Sequence, residues 1–108
     1  MFKGLYKVEF ETPRGKALGV VNAEDGKIRG GSSAFAYIGS FTENGHAFSG
    51  SVRSIRHTAN PAHPSVFGFD EVNVNFQGAA KGDYAVCEGV SPDFPSLAFK
   101  AVLTRLAD

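Results

Sequence analysis

Three histidines, one cysteine and two adjacent acidic pairs are the side chains of this 108-residue chain that could carry nucleophilic, acid–base or metal chemistry. His57 and His63 flank a proline-containing loop at a spacing that fits no standard zinc motif, and His46 sits beside a turn where it faces water. Cys87 in "DYAVCEG" has no local signature of a nucleophile with its base, so it reads as a small buried hydrophobe. On a strand it lies opposite to Tyr84 and Val86, which leaves its side of the sheet open. Glu24-Asp25 and Asp70-Glu71 are neighbours in sequence, and adjacent strand residues face opposite ways, so neither pair makes an acid/base dyad. The glycines of "QGAAKGDY" lack the spacing of a phosphate loop. The expectation is a protein without catalytic residues, metal or cofactor. An enzyme site at a barrel mouth is a third and weak reading, and nucleic-acid binding is weaker still.

What must position these residues is a set of short strands. Tyr6, Val8 and Phe10 alternate with Lys7, Glu9 and Glu11, a period of two with one wet face. Residues 16–23 form a second strand after a turn at Pro13-Arg14-Gly15. Asp25-Gly26 is a type I′ hairpin signal leading to a short third strand over 27–31. Residues 33–42 and 46–58 form the fourth and fifth strands around Asn44-Gly45. The stretch "ANPAHPS" is a loop. A sixth segment starts near Val66, with Val72, Val74 and Phe76 alternating against Asn73, Asn75 and Gln77. Residues 83–89 form the seventh strand and "SPDFPS" the next loop. The last segment, "LAFKAVLTRL", fits a strand or a helix face, and the β-rich context favours the strand.

Eight short strands joined by tight turns predict one all-β domain over residues 1–108, an eight-stranded antiparallel up-and-down barrel. Thirteen glycines and ten phenylalanines suit such a fold. An Asn44-Gly45 loop predicts Glu43 opposite His46, Phe41 opposite Phe48 and Gly39 opposite Gly50. That puts Phe35, Tyr37, Phe41 and Phe48 on one face. The residues expected to line the interior or a cavity are Tyr6, Phe10, Phe35, Tyr37, Phe48, Tyr84 and Phe99. Ala34, Ala36 and Ile38 make the fourth strand apolar on its other face too, which predicts a subunit contact there.

A formal net charge of zero with no basic run argues against nucleic-acid binding, since Arg53, Arg56 and Lys100 are scattered. The opening "MFKGLYKVEF" alternates, unlike a signal peptide or membrane span. One cysteine fits a reducing compartment, so the expected location is cytoplasmic.

"FKGLYKVEF", "DGKIRGGSSAFAYIGSF", "SVFGF" and "FKAVLTRL" together resemble the GrlR-type family, negative regulators of type III secretion and their bacterial relatives. The resemblance implies a lipocalin-like barrel, often a homodimer, with an apolar interior, acting by binding a transcriptional regulator. Characterised members carry an exposed acidic run at the turn after the fourth strand. Here that place reads Thr42-Glu43-Asn44-Gly45, so Thr42, Glu43 and Asn44 are the expected partner-binding residues, with Glu43 alone acidic. The alternative is a carrier of a small apolar ligand, which needs a cavity of about 300 Å³ or more.

Overall fold

The computed structural model describes residues 2–59, 70–92 and 98–108. Eight strands appear in them: β1 (Gly4–Thr12), β2 (Gly15–Glu24), β3 (Lys27–Gly31), β4 (Phe35–Asn44), β5 (Ala47–Arg56), β6 (Glu71–Lys81), β7 (Tyr84–Val90) and β8 (Ala98–Ala107). Each pairs antiparallel with the next, and β8 pairs with β1, so the sheet closes into a barrel in up-and-down order. This is the all-β, eight-stranded architecture that the alternation predicts, consistent with a lipocalin-like barrel. The ambiguous last segment is a strand. His63, Val66, residues 60–65 of the first proline loop and 93–96 of the second lie outside the described residues.

Period-two patterning does the sorting. Tyr6 and Val8 of β1 are buried while Lys7 and Glu9 are exposed, and Val72, Val74 and Phe76 of β6 repeat the pattern against Asn73, Asn75 and Gln77. Closure leaves these strands no free edge. Turn carbonyls are taken up by the next strand: Phe41 N donates to Gly26 O, Ala80 N to His46 O and Arg105 N to Asp83 O.

The β4–β5 register differs from the expected one. Asn44 pairs with Ala47, Phe41 with Gly50, Gly39 with Val52 and Glu43 with Phe48, so the loop is Gly45-His46 and His46 is not in a strand. The offset is two residues, which keeps every side chain on its predicted face. Packing explains the choice. Each glycine now lies opposite a bulky residue, instead of two phenylalanines meeting in one layer and two glycines leaving a gap in another. A Cβ on Gly50 would come within 2.0 Å of Ser40 O, so this close approach requires glycine.

Two further expectations need correction. Tyr84 is 47% exposed and points outward, because β7 turns its small residues Ala85 and Cys87 into a core already holding the rings of Phe76 and Phe99. Ala34 is not an outer contact. It precedes β4 and is buried at 1% exposure, and its carbonyl accepts from His57 N and Thr58 N.

Candidate functional site

Three places could act: the barrel interior, the β4–β5 turn and the outer wall. Inside, Phe10, Tyr37, Phe48 and Phe99 line an apolar void of about 50 Å³ together with Val74, Cys87 and Leu103. Tyr6 and Phe35 are buried as well but are not part of its lining. A space this small falls well short of the roughly 300 Å³ that a small-molecule pocket occupies. Burial, and secondarily Glu88, pushes the Cys87 thiol up to about 12, so it is protonated and a poor nucleophile at neutral pH. Burial also raises Tyr37, offset in part by its hydrogen bond to Ser32.

At the barrel end that carries the Asp25-Gly26 and Gly45-His46 turns, Phe2 fills the interior. Its ring stacks on Phe48 at 4.6 Å and 5°, meets Phe41 edge-on at 5.1 Å and leans on Tyr6 at 4.9 Å. Arg105 Nη2 donates to Tyr6 Oη at 3.0 Å from the rim. The Phe2 amide donates to Glu43 Oε1. Thr42, Glu43 and Asn44 are all exposed, as expected of a partner-binding turn, but the Glu43 carboxylate already tethers the residue that closes the barrel. Phe2 precedes β1 but shares the phase of Tyr6, Val8 and Phe10, and Gly4 interrupts the apolar series between them, so Phe2 is not among the expected interior residues.

Of the two described histidines, His57 does structural work and His46 faces water. His57 Nε2 lies 3.1 Å from Ser32 O, which can only accept, so Nε2 carries the proton and Nδ1 accepts from Thr58 Oγ1 at 2.7 Å. His46 is exposed in its turn. Among the described residues no group of three His, Cys, Asp or Glu side chains gathers.

The outer wall carries two apolar areas. On β4, Ile38 is 41% exposed and Ala36 partly so, with Ile55 of β5 paired to Ala36. Ile38 pairs with Arg29 on one side and Arg53 on the other. Arg53 meets Glu71 at 3.2 Å. Across the barrel, Val86 of β7 and Val102 of β8 are direct partners, 48% and 39% exposed, with Tyr84 one outward position further along β7. This second area escaped the sequence reading, although it left a trace. "LAFKAVLTRL" reads as strand or helix because Val102 and Leu106 are apolar on the outer face while Phe99, Ala101 and Leu103 are apolar on the inner one.

An open hollow of about 730 Å³ adjoins this wall, with Glu11, Phe76, Glu88, Val90, Phe99 and Lys100 among its lining residues. No protein-family model matches the chain, and no curated protein matches it in sequence.

Proposed function

We propose that this protein is a non-enzymatic, regulatory protein-binding module, working as a homodimer in the cytoplasm, in the manner implied by its resemblance to GrlR-type regulators. The observation that carries the reading is where apolar side chains are spent. The interior void is about 50 Å³, while Ile38, Val86, Val102 and Tyr84 stand 39–48% exposed on the outer wall. Exposed apolar groups gathered on a sheet face mark protein contacts. A transcriptional regulator is the partner class the resemblance implies, and the exposed end of β4 at Thr42, Glu43 and Asn44, beside the Gly45-His46 turn, is a place for it to touch.

Sedimentation velocity across the micromolar range tests the homodimer, and a monomer throughout removes it. One observation favours a carrier of a small apolar ligand: the open hollow of about 730 Å³, whose lining includes Val90, Phe99 and Lys100, is large enough for such a molecule. Saturable binding of a fatty acid by calorimetry supports that second reading, and no heat across a titration removes it.

A further inference from the structure

We propose that the second copy docks on the outer wall of β7 and β8, centred on Val86 and Val102, and not on the β4 wall around Ile38. This rests on the homodimer reading and assigns its surface. The two walls differ in the charges that frame their apolar residues. Pairing puts Ile38 between Arg29 and Arg53, and Arg29 has no ion pair among the described residues. A two-fold contact through Ile38 would gather these guanidinium groups from both copies, which like-charge repulsion opposes.

The β7–β8 wall is framed by charges that balance. Glu88 and Lys100 are cross-strand partners one outward position along from Val86 and Val102. On the adjacent β1, Lys7 lies 3.9 Å from Glu9, and Glu11 lies 4.0 Å from Lys16 of β2. Glu9 pairs with Val102, so Lys7 and Glu11 sit one outward position to either side of that row. A two-fold axis parallel to the strands, midway between β7 and β8, sets Val86 of each copy opposite Val102 of the other and Glu88 of each copy opposite Lys100 of the other. Such a surface is self-complementary, as an isologous dimer contact requires.

The test is sedimentation velocity on the full chain, wild type against Val86→Glu, Val102→Glu and Ile38→Glu, with circular dichroism to check folding. The expected result is a wild-type dimer whose dissociation constant rises about tenfold or more in both valine variants and stays unchanged in Ile38→Glu. A dimer that survives both valine changes, or that dissociates with Ile38→Glu alone, overturns the assignment while keeping the dimer. A wild-type monomer removes the dimer and this surface with it. If a glutamate variant fails to fold, an equimolar mixture of Val86→Cys and Val102→Cys chains and, beside it, Ile38→Cys alone decide under oxidised glutathione, because the native Cys87 is buried and silent. Disulfide-linked dimers should form in the first, and equal or faster linkage in the second overturns the assignment.

Discussion

The hairpins at Asp25-Gly26 and Gly45-His46 announce themselves with similar residues and close differently. In the first, Asp25 and Gly26 both have positive φ, 52° and 76°, and Glu24 pairs with Lys27, which is the type I′ loop that Asp-Gly favours. In the second, Gly45 has φ 66° and His46 does not share the positive sign, so the turn has the type II′ pattern with Asn44 already in the strand. The short β3 offers mainly Ile28 to the core, paired with Ala23, and no large neighbours compete to set the register. Along β4 and β5, Phe41, Phe48, Gly39 and Gly50 must fit together, and Phe2 must fit on them. There the interior chooses the register, and the turn adapts by one residue.

The sharpest way to break that comparison is Phe48→Ala. Losing the ring that stacks on Phe2 and meets Phe76 at 6.0 Å should cost about 3–5 kcal/mol in urea unfolding. A loss below about 1 kcal/mol, the scale of a surface change, would mean the rings do not hold the register. Next is Gly45→Ala, which forces a Cβ into the left-handed region and should cost about 1–2 kcal/mol. Gly26→Ala should cost at least as much, since its φ is also positive and its Cβ would in addition come within 3.2 Å of Phe41 O. Glu43→Ala releases the Phe2 amide from an exposed carboxylate, and a melting curve should show a loss of about 0.5–1 kcal/mol. Asn44→Ala gives the smallest effect and the cleanest discrimination. As the last strand residue Asn44 should tolerate the change within about 0.5 kcal/mol. A cost near that of Gly45→Ala would place it back in the loop.

These residues also show what a sequence can carry. Alternation in β1 and β6 told which side chains enter the core, because a pleated strand offers two directions and one is wet. The face of Phe35, Tyr37, Phe41 and Phe48 was legible for the same reason. Their partners were not, since an offset of two residues leaves both faces unchanged and only three-dimensional packing tells the registers apart. Tyr84 misled because β7 is apolar at every position from Tyr84 to Cys87, so periodicity is silent there and the volume left by Phe76 and Phe99 decides. The candidate site was half legible. Ile38 stood out within a strand apolar on both faces, whereas Val86 and Val102 become one patch only when β7 and β8 pair.

The buried thiol of Cys87 also links the barrel to protons. An unfolded cysteine ionises near pH 9 and the folded one at about 12. Below pH 9 both states hold the proton and the thiol is neutral to stability. Between those values the unfolded chain releases its proton while the native barrel keeps it, so unfolding is favoured by about 1.4 kcal/mol for each pH unit. Stability should fall across that alkaline window, and Cys87→Ala should flatten the fall in urea midpoints measured from pH 8.5 to 10.5.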